Sequence, residues 1–222
     1  MNRNIAVDGP AGAGKSTVAK QVAKKLGLVY VDTGAMYRAM GIYFLRLGLS
    51  SEDEAGITKA CSSAEVSIAY ENGAQQVYLN GENVTGSLRE EAVGNMASCS
   101  SVYPAVRRKM TELQQALAAK TAVIMDGRDI GTVVLPDAAL KIYLTASVEE
   151  RARRRYVELQ EKGQSCPYEE IKKDIRERDQ RDMNRETAPL RQAEDAVLVD
   201  ATELSIDQVV ERIFLLYQER MK

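Results

Sequence analysis

Eight consecutive residues, Gly9-Pro10-Ala11-Gly12-Ala13-Gly14-Lys15-Ser16, followed by Thr17, fit the pattern G-x-x-x-x-G-K-[ST]. Glycines at these positions let the backbone curl so that successive N–H groups point inward at an anion. A helix starting at about Lys15 adds partial positive charge at its first turn. Lys15 would reach the β- and γ-phosphates of a nucleoside triphosphate, and the Ser16 hydroxyl would ligate Mg²⁺. The bland alternative is a glycine-rich strand-to-helix turn with an incidental lysine. The flanks favour the phosphate loop: a short apolar strand ends at about Asp8, and an amphipathic run of Lys, Ala and Val follows.

The loop points to a nucleoside triphosphate but does not say what becomes of it. A GTP-reading switch would carry N-K-x-D, and the chain contains no Asn-Lys pair. A small kinase needs a second anion pocket, built from arginine because a guanidinium grips phosphate oxygens bidentately. Four stretches offer such groups. "VYVDTGAMYR" brings Thr33 and Arg38 to a strand end and helix start, and "VIMDGRDIGTVV" puts Asp126, Arg128 and Asp129 just past another strand. In "IRERDQRDMNRETAPL", Arg178, Asp182 and Arg185 recur at i, i+4, i+7, one helical face, with Arg181 on the neighbouring row. In "EERARRRYVE", Glu150 and Arg154 form an ordinary i, i+4 pair, whereas Arg151 and Arg155 share a face that could close over the triphosphate. The competing reading of both arginine runs is a solvated helix with intrahelical ion pairs, and that of Asp126 is a turn or cap aspartate.

The elements that must hold these groups follow from apolar periodicity. Short buried strands are expected at 5–7, 28–31, 122–125, 141–144 and 197–199, and helices at 15–26, 35–47, 103–119, 148–162 and 206–221. Strand alternating with helix predicts an α/β fold: a P-loop NTPase with a five-stranded parallel sheet and helices on both faces. Ligands then bind at the strands' carboxyl edge. Residues 65–84 break the rhythm, alternating apolar with polar residues and carrying Asn72-Gly73 and Asn80-Gly81, the hairpin signals. They predict a small antiparallel insert, followed by a helix over 88–99. Gly163 marks a turn between two charged helices, the arms of a short helical lid. One kinase domain is expected over 1–222: a core of 1–34, 103–148 and 190–222, a monophosphate lobe with the hairpin insert over about 35–102, and lid and flanking helices over about 149–189.

Composition narrows the chemistry. The chain has 222 residues, 45% of them hydrophobic, and a net charge of −2, which is not that of a general nucleic-acid binder. Its three cysteines, Cys61, Cys99 and Cys166, are odd in number and widely spaced, so no disulfide framework or zinc site is expected and a reducing cytoplasm suits them. No signal peptide, membrane partner or nucleic-acid partner is expected, and a monomer is the default. The chain contains no histidine, which excludes an imidazole base or ligand.

Taken together, "GPAGAGKST", "DTGAMYR", "DGRDIGTVV" and "RDxRDxNR…APL" resemble the bacterial cytidylate kinases, and the resemblance covers essentially the whole chain, hairpin insert included. It implies transfer of the γ-phosphoryl group of ATP to CMP or dCMP with Mg²⁺. It also implies roles residue by residue. Gly9 to Thr17 would hold ATP. Thr33, Arg38, Arg128 and Arg185 would hold the acceptor phosphate; Ser98, Arg107 and Asp129 would read the cytosine edge; Arg178 and Asp182 would touch the pentose. Asp126 would order water on a Mg²⁺ bound directly by Ser16, and Arg151 and Arg155 would face ATP. By the same resemblance Lys15, Arg128, Asp126, Arg151 and Arg155 would form the catalytic set. Thr33 stands where some relatives have serine, and the hydroxyl is kept. Other readings remain: a small-molecule kinase for UMP, AMP or a hydroxyl-bearing metabolite, or an ATP-binding regulatory module.

Overall fold

The computed structural model describes residues 3–222. In chain order these form β1 (Ile5–Asp8), α1 (Lys15–Leu26), β2 (Val29–Asp32), α2 (Thr33–Arg46), α3 (Glu54–Cys61), β3 (Val66–Glu71), β4 (Ala74–Leu79), β5 (Glu82–Asn83), α4 (Glu91–Ser100), α5 (Pro104–Ala118), β6 (Val123–Gly127), β7 (Leu140–Thr145), α6 (Val148–Glu161), α7 (Tyr168–Asn184), β8 (Val197–Asp200) and α8 (Ile206–Arg220). The chain divides into two compact units, one comprising the residues up to Tyr30 with Ala122–Lys222, the other Val31–Thr121.

The first unit is built on a five-stranded parallel sheet in the order β2-β6-β1-β7-β8. β1 is central: Val7 lies opposite Asp126 and Ile142, and Asp8 opposite Gly127 and Tyr143. A strand flanked on both sides and covered on both faces must be apolar throughout, and Ile5, Ala6 and Val7 are fully buried. Ile5 and Val7 pack with Ile142 and Leu144 against Val18, Val22 and Ala19 of α1 and Val209, Ile213 and Tyr217 of α8. Each such side chain contributes roughly 1.5–3 kcal/mol on burial. α1 stops at Gly27, whose φ of 66° suits a residue without a Cβ. α6 and α7 have a small apolar seam of their own, Ala152, Ile171 and Ile175, flanked by the edge-on pair Tyr156–Tyr168.

In the second unit, β3, β4 and β5 form an antiparallel sheet. Its two turns put Asn72, Gly73, Asn80 and Gly81 at φ of 52°, 77°, 49° and 82°, the left-handed pairs expected of Asn-Gly hairpins. α2 meets α4 closely at Gly41, where an added Cβ would lie 3.0 Å from the Val93 carbonyl oxygen. The helix expected over 88–99 begins later, at Glu91, after a single tight turn at Thr85–Ser87. α3 was not foreseen; its start is capped by Asp53, whose Oδ1 accepts from the Gly56 amide at 2.9 Å. The wide turn after β6 was not foreseen either. Asp129 leads into one wide turn, Ile130–Val134, in which Val134 N–H reaches back five residues to the Asp129 carbonyl at 3.2 Å. Turns of this π type cluster at functional sites.

Candidate active site

The phosphate loop leaves β1 through Gly9 at φ 147°, where a Cβ would sit 1.9 Å from the Leu144 carbonyl oxygen, so only glycine fits. Gly14, at φ 89°, occupies the cap position of α1 and supplies no side-chain cap, and the first turn of α1 carries no acidic residue. The first N–H groups of that helix and its positive end are therefore presented to an anion. The loop carbonyls are turned to cations. Pro10 accepts from Lys15 Nζ at 2.7 Å, Ala11 from Arg151 Nη1 at 3.0 Å, and Ala13 from Arg154 Nη1 at 3.4 Å. Burial pulls the Lys15 ammonium down to about 7, and Arg128 and Arg178 push it the same way against Asp126 and Asp182. Its bonded acceptor is a neutral carbonyl, so a polyphosphate would add the counter-charge.

Asp126 stands beside the loop on β6, buried. Ser16 Oγ donates to its Oδ2 at 2.8 Å, and Tyr30 Oη to its Oδ1 at 2.8 Å. A hydroxyl and a carboxylate this close form an all-oxygen pair suited to a hard cation that keeps water and phosphate oxygens in its shell. Tyr30 was missed by sequence reasoning, because a strand tyrosine carries no motif.

The other expected residues of the first unit gather around Asp182 of α7. Arg128 Nε donates to Asp182 Oδ2 at 2.7 Å and Nη1 to the Gly127 carbonyl at 3.3 Å. Arg185 lies 3.7 Å from Asp182 and 3.6 Å from Asp129, and its Nε donates to the Ala188 carbonyl at 2.8 Å. Arg185 does not continue the helical face: α7 ends at Asn184, and Arg185 is its extended C-cap. Burial opposes charge on Asp182, but Arg128, Arg178 and Arg185 outweigh it and hold the carboxyl below its usual range. Asp182 therefore stays ionised beside three guanidinium groups, the side chains that grip phosphate oxygens best.

Two α6 arginines, Arg151 and Arg155, separate. Arg151 is buried, with Nε on the Ala146 carbonyl at 2.9 Å and Nη2 on Asp179 Oδ2 at 2.7 Å, besides its bond to Ala11. Arg155 is half-exposed and paired with Glu158 on its own helix. Arg154 is more than the surface partner of Glu150: its Nη2 also donates to the Ala201 carbonyl at 2.6 Å. Asp179 went unnoticed, and Arg154 was read only as the partner of Glu150, because Arg151 and Ala201 lie far from them in sequence.

Within the second unit, Thr33 opens α2 and is buried, and Asp32 caps that helix by accepting from the Ala35 amide. The Arg38 guanidinium approaches Gly34, where a Cβ would lie 3.4 Å from Nη1. Gln75 of β4 grips the Asp32 backbone, accepting its N–H at 2.8 Å and donating to its carbonyl at 3.2 Å. Ser98 and Arg107 are buried; Arg107 lies over the Tyr37 ring, 5.5 Å from its centroid, and Nη1 donates to the Ser101 carbonyl at 3.1 Å.

Comparison with known proteins adds three findings. The family model described as cytidylate kinase matches residues 5–219. The chain is 48% identical to the cytidylate kinase of Caldicellulosiruptor bescii over 219 residues, covering 99% of this chain and 97% of that one. It is 51% identical to the cytidylate kinase of Carboxydothermus hydrogenoformans over 209 residues, 94% of each chain. Among solved structures, an uncharacterized protein from Eubacterium ventriosum aligns with a TM-score of 0.56 at 9% identity, covering 98% of this chain and 99% of that one. A shikimate kinase from Bacteroides thetaiotaomicron aligns at 0.50 and 14%, covering 97% and 98%. These last two bear on the fold alone.

Proposed function

The chain belongs to the cytidylate kinase family and is an enzyme that phosphorylates CMP or dCMP at the expense of ATP, and we propose that it does so with the phosphate loop and the arginines named below. The observation that carries the assignment is the uncapped start of α1, with buried Lys15 beside it and Arg128, Arg178 and Arg185 grouped at Asp182.

Gly9 to Thr17 hold the triphosphate, with loop amides and Lys15 on its oxygens. Arg151 ties the Ala11 carbonyl to Asp179, and Arg155, half-exposed itself, can leave Glu158 at little cost to meet a phosphate. Ser16 holds Mg²⁺ directly and Asp126 through water; when bound, the ion supplies charge neutralisation at the β- and γ-phosphate oxygens. Thr33, Arg38, Arg128 and Arg185 hold the acceptor phosphate. Arg128 has donors left over after Asp182 and Gly127 for this purpose. Arg178 and Asp182 meet the pentose. Ser98, Arg107 and Asp129 read the base: cytosine presents an amine donor beside the N3 acceptor, uracil reverses that edge, and the site's polar groups would then stand unpaired.

The nucleophile is an acceptor phosphate oxygen, already anionic at neutral pH, so no general base is required. Its lone pair forms the new bond to the γ-phosphorus while the bond to the β–γ bridging oxygen breaks and ADP leaves. The protein's part is alignment and neutralisation of two polyanions. The segment over about 149–189 is the proposed lid, residues 35–102 the proposed monophosphate lobe, and the working form a monomer taking small nucleotides. None of the described helices is long and apolar enough to cross a membrane. An ADP-release assay with ATP, Mg²⁺ and a panel of CMP, dCMP, UMP and AMP tests the function. ADP should form with CMP and dCMP; turnover confined to UMP or AMP, or independent of any monophosphate, would overturn it.

A further inference from the structure

Asp8 has no place in the chemistry just described, yet it is a buried carboxylate at the end of the central strand. Its Oδ1 accepts from the Ile130 amide at 2.8 Å and its Oδ2 from the Gly131 amide at 2.7 Å. Its backbone lies opposite Gly127 in the β1–β6 ladder. One residue thus holds both ends of the excursion that carries Arg128 and Asp129: the ladder fixes the chain at Gly127, and the side chain fixes it again at Ile130. We propose that Asp8 is a positioning residue for the acceptor side, setting where Arg128 and Asp129 stand without touching either nucleotide. The inference rests on the assignment of those two residues to CMP.

Three features support it. The carboxylate meets its two amides with no bonded cation, an arrangement specific to backbone placement rather than to ion pairing. The turn it anchors is tight on that side: a Cβ on Gly131 would lie 3.4 Å from Asp8 Oδ2 and 3.2 Å from Lys141 Cδ. An apolar residue would fill the space without the cost of a buried charge. Burial raises the carboxyl to about 6; the Gly131 and Ile130 amides and Lys15 hold it down, and Asp129 pushes it up. Tyr143 faces it from β7.

The test uses the full chain with Asp8→Asn, whose amide can accept one of the two N–H bonds and confronts the other with a donor. Gly131→Ala perturbs the same contact from the opposite side. KM for CMP and for ATP are measured separately, beside a urea midpoint. KM for CMP should rise about tenfold or more in Asp8→Asn, as expected for one lost charge-assisted bond, with KM for ATP within about twofold. Gly131→Ala should move the same way and decides the matter if Asp8→Asn does not fold. Unchanged KM values with a lowered midpoint would mean a merely structural role. An equal rise in both KM values would mean a phosphate-loop effect. Either refutes the proposal while the wild type still phosphorylates CMP; a wild type inert toward CMP would instead sink the parent assignment.

Discussion

Asp179→Ala should destabilise the protein more than any surface charge deletion, and the structure says by how much. Arg151 Nη2 and Asp179 Oδ2 are 2.7 Å apart, and the two side chains are 5% and 10% exposed. Truncating the aspartate leaves a buried guanidinium bonded only to the Ala146 and Ala11 carbonyls. Breaking one side of such a pair costs about 3–5 kcal/mol, because the remaining charge is desolvated and uncompensated. With a urea slope of about 2–3 kcal/mol/M for a chain of this size, the midpoint should fall by roughly 1–2 M. Arg151→Met should fall at least as far, since it also frees the Ala11 carbonyl. The double variant Arg151→Met/Asp179→Ala removes both charges and should recover much of the loss. KM for ATP should rise in both single variants, because Ala11 belongs to the phosphate loop. A midpoint shift below about 0.3 M in Asp179→Ala, or strictly additive losses in the double variant, would refute the buried-pair argument.

Asp126→Asn and Ser16→Ala should each lower turnover on the order of a hundredfold at saturating ATP, measured by coupled ADP release with Mg²⁺ titrated; unchanged turnover would remove both from the metal site. Arg178→Ala and Arg185→Ala should weaken CMP use while ATP binding, followed by calorimetry, persists. Unaltered CMP kinetics in both would mean the acceptor pocket is misassigned. Asp8 gives a pH prediction. Its folded value of about 6 lies above the usual 3.8, so between these limits the folded state holds the proton more tightly. Its contribution is therefore fully present below about 4 and is lost as pH rises through 6, by on the order of 2–3 kcal/mol at most. Urea midpoints at pH 4.5 and 6.5 should show that decline in the wild type relative to Asp8→Asn; parallel behaviour would rule it out.

What could be read without coordinates was what local chemistry dictates. The phosphate loop is eight adjacent residues whose glycines are needed for backbone reasons alone. The inner strands β6, β1 and β7 were legible because central parallel strands must be apolar; β2 and β8 were legible as short apolar runs but, as edges, are only partly buried; and the hairpins were legible because Asn-Gly pairs accept left-handed backbone at small cost. α3 and the wide turn after Asp129 escaped because neither has a strong periodic or turn signal. The remainder was decided by contacts between residues far apart in the chain. Arg151 and Arg155 share a face by spacing, yet one is buried on Ala11 and Asp179 and the other lies in solvent beside Glu158. Arg185 follows a helical spacing but falls just past the helix end, where it still reaches Asp129. Asp8 reads as the last residue of a strand until β6 and its following turn are laid against it. Periodicity specifies which way a side chain leaves its own element. Which amide, carbonyl or carboxylate it then meets depends on the packing of elements more than a hundred residues apart, and only the folded chain brings those together.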